Sequence, residues 1–278
     1  MSRGVVFVTG ASTGIGNATA LRLARAGYDV IPGLRRDEPL PDPVKPPVLI
    51  DLSDPTSIEP ACKEVVERAG GNLVGLVNNA GYSVTGPFET LDLADWRAQF
   101  EVNFFGHIAI TSALLPALIA SGGRVVTVGS IGGRMSLPFM GPYVASKHAV
   151  QAWTDSMRME LAPHGVRVSL IEPGAIATPL WEKGVGAAEA HREGLEPALR
   201  DKYAAQMDGA LKAAAMSEKM AIPAERCAKA IEHALTARHP KGRYLVGADA
   251  HLQAGVAAMP TRVLTGFTRM VTRQPRAK

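Results

Sequence analysis

Tyr143 and Lys147 stand four residues apart in the stretch Ser130 to Lys147, S-I-G-G-R-M-S-L-P-F-M-G-P-Y-V-A-S-K. Pro142 opens a helical pattern there, at a first-turn position where a missing N–H is not felt. On a helix that spacing stacks the two side chains on one face. A phenol beside an ammonium has a chemical use, because the cation favours the phenolate and draws the tyrosine down from about 10 toward working pH. Such a phenol can pass a proton to or from a substrate oxygen. The same pair on a solvated face would do nothing, so the spacing gains meaning only from the elements around it.

Those elements repeat one scheme. Arg124–Gly129 is a short β-branched run bounded by glycines and reads as a buried strand, which leaves Ser130 at its C-terminal end. Open α/β sheets gather their ligands at that edge. Val5–Val8 is an earlier strand, followed by Thr9-Gly10-Ala11-Ser12-Thr13-Gly14-Ile15-Gly16 and a helical pattern at Ala20, Leu23, Ala24 and Gly27. Strand, glycine turn and helix together suit a pyrophosphate, since bare backbone can approach it and a helix N-terminus offers free N–H donors. The spacing is G-x-x-x-G-x-G rather than G-x-G-x-x-G, so an ordinary glycine turn is the competing reading.

A second strand, Asp29–Gly33, ends at Leu34-Arg35-Arg36. An acid at that place holds ribose hydroxyls and selects NAD, whereas arginine accommodates a 2′-phosphate, so Arg35 and Arg36 favour NADP, with Asp37 as the competing acid for NAD and a solvated charge cluster as the plainer reading. Residues 38–47 hold five prolines and read as a surface connection. Val48–Ile50 closes on Asp51. Ile58, Ala61, Cys62, Val65, Val66 and Ala69 mark an amphipathic helix. Leu73–Val77 delivers Asn78-Asn79-Ala80-Gly81, and Val166–Ile171 delivers Glu172-Pro173-Gly174 ahead of Thr178. A segment of helical composition at 181–220, a helix through Cys227 and Ile231, and a strand at Tyr244–Val246 complete the body. Six or seven strands alternating with helices predict an α/β fold, one doubly wound parallel sheet with helices on both faces. No linker or repeat divides it, so residues 1–249 are expected to form a single nucleotide-binding domain followed by a tail, 250–278.

Composition excludes some partners. The formal charge is +4, yet residues 250–278 hold five basic residues (Arg262, Arg269, Arg273, Arg276 and Lys278) and no acid, which leaves the body near neutral. A nucleic-acid groove needs a basic face on the folded body, so that class is set aside. Two cysteines, Cys62 and Cys227, each on an apolar helical stripe, are expected as inert core groups in a reducing compartment. No metal-ligating cluster is expected. Four residues precede the first strand, so no signal peptide is expected and the protein reads as cytoplasmic. Val102–Gly123 is uncharged and long enough to span a bilayer, but Asn103, His107 and Pro116 inside it point to a helix between the sheet and a partner subunit.

In register, these motifs resemble the short-chain dehydrogenase/reductase family in its compact single-domain branch, from about Val5 to Gly247. The resemblance rests on T-G-x-x-x-G-x-G at 9–16, Asp51, N-N-A-G at 78–81, Asn103, Ser130, Y-x-x-x-K at 143–147, and Pro173-Gly174 with Thr178. It implies a catalytic set of Asn103, Ser130, Tyr143 and Lys147. Tyr143 would be the general acid/base, Lys147 would lower its pKa and bind the nicotinamide ribose, Ser130 would hold the substrate oxygen, and Asn103 would anchor a relay water. The resemblance also implies that Gly10, Gly14 and Gly16 cradle the pyrophosphate, with Ser12 and Ile15 nearby. Asp51, Asn78 and the Ala80-Gly81 turn would border the adenosine side, and Pro173, Gly174 and Thr178 the nicotinamide. The reaction implied is hydride transfer between a nicotinamide and a carbonyl or secondary alcohol.

The ending lacks the V-D-G-G type close of the acyl-carrier reductases, and G-L-R-R-D with the C-terminal extension looks more like hydroxysteroid and retinol dehydrogenase relatives. Met135, Leu137, Phe139, Met140, Leu180 and Trp181 are apolar and near the expected site, which suits a lipophilic small molecule, with core or subunit contacts as the competing reading for some of them. The 181–220 segment is either a lid over it or a pair of ordinary surface helices. In the tail, Val263, Leu264, Phe267, Met270 and Val271 form an apolar stripe beside Arg262, Arg269 and Arg273. Such a helix, at 260–278, docks on protein or lies on an anionic membrane. Family habit implies a homodimer or homotetramer. The rival classes are a catalytically silent dinucleotide-binding regulator or scaffold and a nucleotide-dependent transferase; the latter leaves the Ser130–Tyr143–Lys147 spacing unexplained.

Overall fold

The computed structural model describes residues 2–38 and 40–272; of residues 181, 182 and 271 it describes the backbone alone. Its centre is a parallel sheet of seven strands: β1 (Val5–Thr9), β2 (Asp29–Leu34), β3 (Val48–Leu49), β4 (Leu73–Asn78), β5 (Arg124–Val128), β6 (Arg167–Pro173) and, after a separate pair, β9 (Arg243–Val246). The order is β3-β2-β1-β4-β5-β6-β9, all parallel. This is the doubly wound Rossmann arrangement expected from the alternation of elements, and it places every strand's C-terminal end along one edge. β1 is an inner strand and its five residues are all buried, which is why Val5–Val8 is apolar throughout rather than alternating.

Helices cover both faces. On one, α1 (Gly14–Arg25) and α8 (Glu225–Thr236) close a core of Val6, Val8, Leu23, Val126, Ile171, Cys227 and Ile231. On the other, α2 (Pro55–Ala69), α4 (Gly106–Ser121) and α5 (Gly141–Leu161) pack over Phe7, Leu76, Ile110, Leu114, Leu118 and Val125. Cys62 and Cys227 sit one in each core, and burial pushes both thiols up to about 12, the inert packing expected of them.

The long apolar stretch takes an unexpected form. α3 (Leu93–Phe100) runs through a π-helical turn, Glu101–Phe105, straight into α4, a helical run long and apolar enough by composition to cross a membrane. In the fold, His107, Ile110, Thr111, Leu114 and Leu118 face the protein, while Phe105 and Ile119 are exposed. The π turn is an extra residue's worth of helix, a distortion that recurs at functional sites, and it carries Asn103.

The 181–220 segment is two helices, α6 (Pro179–Gly194) and α7 (Pro197–Lys219). A short parallel pair absent from the sequence-based reading, β7 (Ile176–Ala177) with β8 (Ile222–Pro223), ties the two ends of this excursion together. Its flank is fastened to the turn at Phe88–Thr90: Glu89 accepts from Lys202 Nζ at 2.5 Å and from the Tyr203 hydroxyl at 2.6 Å, and Thr90 Oγ1 lies 2.7 Å from His191 Nε2. α9 (Ala248–Ala257) and α10 (Thr261–Val271) follow β9. On α10, Thr268 is buried and Leu264 half-buried, whereas Val263 and Met270 are exposed. Arg273, Arg276 and Lys278 lie outside the described residues.

Candidate active site

The glycine turn is shaped by close approach. A Cβ on Gly16 would stand 2.2 Å from the Gly10 carbonyl oxygen, and one on Gly10 would stand 2.8 Å from Ala80 Cα. Gly14 has φ +58, and a side chain there would meet Thr178 Cγ2 at 3.0 Å, so the turn and the Thr178 loop already face each other across a narrow gap. Asn79 holds the turn, with its Nδ2 donating to Thr9 O at 2.9 Å and Gly10 O at 3.0 Å. Thr13 makes no side-chain cap to α1, and the first turn of α1 carries no acid. Uncapped amides at the end of a backbone-lined gap fit a diphosphate, by geometry and by the positive end of the helix dipole. Ser12 is exposed beside it and Ile15 half-buried.

Around this turn, Arg35 and Arg36 leave β2 into solvent, and the Arg35 charge helps hold the Asp51 carboxyl below the usual carboxylate range, behind the larger effect of the Ser53 hydroxyl. Asn78 sits differently from its neighbours. It is wholly buried, and its Nδ2 donates to Thr111 Oγ1 of α4 at 2.8 Å, which turns the side chain into the core. Ala80 donates its N–H to Thr9 Oγ1 at 3.1 Å, and its carbonyl lies 2.8 Å from His107 Nε2. Gly81 is exposed, with Asn103 Oδ1 3.1 Å from where its Cβ would be.

Ser130, Tyr143 and Lys147 do come together. Ser130 Oγ accepts from Gly132 N at 3.0 Å, which turns the chain tightly after β5. A Cβ on Gly132 would sit 3.3 Å from Ser130 Oγ and 3.4 Å from Tyr143 Cε1, so this turn presses the two hydroxyl-bearing residues together. Burial raises the Tyr143 pKa, and a hydrogen bond with Ser130 draws it partly back. This differs from the expectation that Lys147 acidifies the phenol. The lysine is buried one turn further along α5, its Nζ donates to Val128 O at 3.0 Å, and it lies 5.9 Å from the centre of the tyrosine ring. Desolvation brings Lys147 itself down to about 8.

Asn103 bridges the Tyr82 loop and α5: Nδ2 donates to Tyr82 O at 3.0 Å and to Ser146 Oγ at 3.3 Å, and Oδ1 accepts from Tyr82 N at 3.1 Å. Gln99, one turn earlier and fully buried, holds the same loop through Val84 N at 2.7 Å and Tyr82 O at 2.9 Å. On the opposite side, Pro173 ends β6, and Asp249 of α9 accepts from Ala175 N at 2.7 Å, close against Gly174. Thr178 stands at the head of α6. Of the apolar residues, Met135 is core; Leu137, Phe139 and Met140 are half-buried, Leu180 is largely exposed, and the Trp181 side chain lies outside the described set. Phe139 takes φ 65, its carbonyl accepts from Gly86 N at 2.8 Å, and its ring meets Tyr203 edge-on at 6.3 Å.

Asn79, Gln99, His107 and Asp249 were given no site role from sequence. Asn79 stood inside the quoted N-N-A-G motif, and Asp249 is the acid just past the last strand. Gln99 gave no such signal, and His107 stood out only as a polar residue inside the apolar run Val102–Gly123.

A parallel Rossmann sheet with a glycine turn, and a serine, a tyrosine and a lysine gathered at the same edge, define a nucleotide-linked oxidoreductase. The chain matches the short chain dehydrogenase family model over residues 4–187 and belongs to that family. An uncharacterized oxidoreductase of Escherichia coli K12 is 44% identical over 181 residues, which are 62% of this chain and 66% of that protein. Mouse retinol dehydrogenase 5 is 34% identical over 284 residues, covering 97% of this chain and 89% of the relative. Among solved structures, a Burkholderia cenocepacia short chain dehydrogenase in complex with NADP superimposes with a TM-score of 0.73 at 29% identity, covering 96% of this chain and 98% of that one.

Proposed function

We propose that the protein is an NADP-dependent oxidoreductase that interconverts a lipophilic carbonyl compound and its secondary alcohol. The observation that carries this is the meeting of Ser130 and Tyr143 under the Gly132 turn, with buried Lys147 behind them, at the edge that holds the glycine turn. Gly10, Gly14, Gly16 and the head of α1 would hold the diphosphate, Arg35 and Arg36 a 2′-phosphate, and Pro173, Gly174 and Thr178 the nicotinamide end. When bound, the nicotinamide supplies or takes the hydride. Ser130 holds the substrate oxygen, and Tyr143 gives that oxygen a proton on reduction or removes it on oxidation. Lys147 places a positive charge beneath the phenol, and Asn103 fixes the Tyr82 loop that walls the site and anchors a relay water.

The half-buried Leu137, Phe139 and Met140, with α6–α7 as a lid latched at Glu89 and Thr90, support an apolar ligand of the steroid, retinoid or fatty-ketone kind. The similarity to a retinol dehydrogenase points the same way, and the NADP in the Burkholderia neighbour supports the cofactor reading. The exposed Phe105 of the π turn, Ile119 on α4 and Met159 on α5 support a homo-oligomer, and two buried thiols suit the reducing cytoplasm. We place residues 1–249 in one catalytic domain and assign the tail a peripheral membrane contact.

The deciding experiment pairs Tyr143→Phe with a screen of steroids, retinoids and medium-chain ketones for NADPH oxidation. Loss of turnover with NADPH binding kept is the expected result, because only the exchangeable proton is removed. Near-normal kcat in the variant would refute the assignment. Activity confined to sugars or small polar ketones would reject the lipophilic substrate, and no turnover of any carbonyl would leave a silent dinucleotide-binding protein.

A further inference from the structure

Glu172 is a carboxylate with a side-chain exposure of 0%, at the end of β6 immediately before Pro173 and Gly174. Arg134 grips it with both arms of the guanidinium, Nε to Oε1 at 2.6 Å and Nη2 to Oε2 at 2.7 Å. Arg243 of β9 adds a bond from Nη1 to Oε1 at 3.3 Å and reaches with its other nitrogen to Asp155 of α5. Asp155 also accepts from Arg158 Nη1 at 2.7 Å, and Arg158 Nη2 donates to Gly242 O at 2.6 Å. Gln151 joins them, its amide oxygen accepting from Arg243 and its amide nitrogen donating to Gly133 O at 2.7 Å.

Arg134 lies four residues after Ser130, at the end of the 3₁₀ turn Ile131–Gly133. That turn has no slack, since Gly133 N donates to Ser130 O at 2.9 Å and Arg134 N to Ile131 O at 2.9 Å. A Cβ on Gly133 would stand 2.8 Å from the Lys147 carbonyl oxygen, so the turn is wedged against the helix that carries Tyr143 and Lys147. Whatever sets Arg134 therefore sets Ser130 against Tyr143.

We infer that Glu172 is a positioning residue for the proposed reaction, its buried carboxylate holding Arg134 and so fixing the Ser130 turn to both α5 and the Pro173–Gly174 strand end. This rests on the reading of Ser130 and Tyr143 given above. The physical reason for an ion pair here, where an apolar pair would pack as stably, is geometry. Buried pairs are poor stabilisers because desolvation offsets their attraction, but a bidentate fork fixes distance and direction together. Lysine keeps the charge and loses the fork.

Glu172→Gln and Arg134→Lys test this on the full-length protein. The ionisation of Tyr143 is followed by ultraviolet difference between each variant and the same variant carrying Tyr143→Phe, alongside NADPH affinity and NADPH oxidation with 2-decanone. The expected result is an upward shift of the phenol titration in both variants, as the Ser130 contact loosens. NADPH Kd should stay within about twofold, and kcat should fall roughly tenfold to a hundredfold, the effect of a misplacement near 1 Å. An unchanged phenol titration with only a lower unfolding temperature would overturn the proposal and leave a purely structural ion pair. If Tyr143→Phe alone keeps turnover, the catalytic reading fails instead, while the titration still reports on Glu172.

Discussion

The Lys147 ammonium donates to the Val128 carbonyl at 3.0 Å, two residues before Ser130, and not to the Tyr143 hydroxyl. The lysine thereby anchors the end of β5 to α5 with a charge-assisted bond inside the protein. Its charge is expensive there, and desolvation brings its pKa to about 8.

That burial predicts a trade of stability against activity. Lys147→Met removes a buried ammonium whose cost is on the order of 3 kcal/mol at neutral pH. The Val128 carbonyl loses its donor, which returns about 1–3 kcal/mol of that gain. The pH dependence separates the two. A lysine whose folded pKa lies below its unfolded value costs its full amount below pH about 8, and the cost fades as pH rises toward the unfolded value. Urea midpoints of the inactive variant should therefore compare most favourably with wild type near neutrality and lose that advantage in mildly alkaline buffer. A gap independent of pH would mean that Lys147 keeps its ordinary pKa in the fold and carries no burial cost.

His107 predicts the acid side. It is fully buried on α4, its Nε2 faces Ala80 O, its Nδ1 has no partner, and desolvation, aided by the Lys147 charge, drives its pKa to about 3. A histidine held neutral while the unfolded chain takes up a proton costs stability as pH falls below its ordinary value of 6.5. Between about pH 7 and 5 wild type should lose roughly 2 kcal/mol through this group alone. His107→Gln, which can still donate to Ala80 O, should show a flatter stability profile across that range. Equal slopes in the two proteins would remove His107 from the account.

The fold was legible because its signals were local and redundant. Each parallel strand is an apolar run, each is followed by turn chemistry, and the order of motifs fixed the edge where they meet. Ser130, Tyr143 and Lys147 were legible for the same reason, through strand end, proline and four-residue spacing. What lay outside the sequence depends on distant partners. Nothing in the residue string sends Asn78 inward to Thr111, or gives Lys147 a carbonyl to bind before it reaches the phenol. The β7–β8 pair joins residues more than forty positions apart through two residues each, too short to leave a pattern. The π turn at Asn103 interrupts a helix whose sequence shows no break.

Cofactor choice is tested at Arg35. It is exposed at the end of β2, its charge acts on Asp51, and no acid at that strand end is placed to take ribose hydroxyls before Asp37. Arg35→Glu combined with Arg36→Ala should weaken NADPH binding by about ten- to a hundredfold, the loss of a charge-assisted contact or two. NADH affinity should hold or improve. Fluorescence titration of both nucleotides measures this directly, and a variant that still prefers NADPH would shift the phosphate contact elsewhere.

The tail's two faces make the last prediction. On α10, Leu264 and Thr268 turn inward, so the helix is already docked along one side. Val263 and Met270, seven residues apart, face outward together, with Met259 exposed just before the helix. Arg262 and Arg269 are seven apart as well and flank that stripe, and the sequence from 250 onward has no acid. An apolar ridge edged by arginine suits an anionic bilayer, where acyl chains take the ridge and headgroups the charge. Phosphatidylglycerol vesicles should therefore sediment the intact protein at low salt, and phosphatidylcholine vesicles should not. Val263→Ser with Met270→Ser should cut that binding about tenfold or more, from lost apolar burial, without lowering the unfolding temperature, because both side chains are exposed. If the intact protein stays in the supernatant, the membrane reading ends, and a doubled mass by light scattering that the same substitutions abolish would assign the ridge to a second copy of the chain.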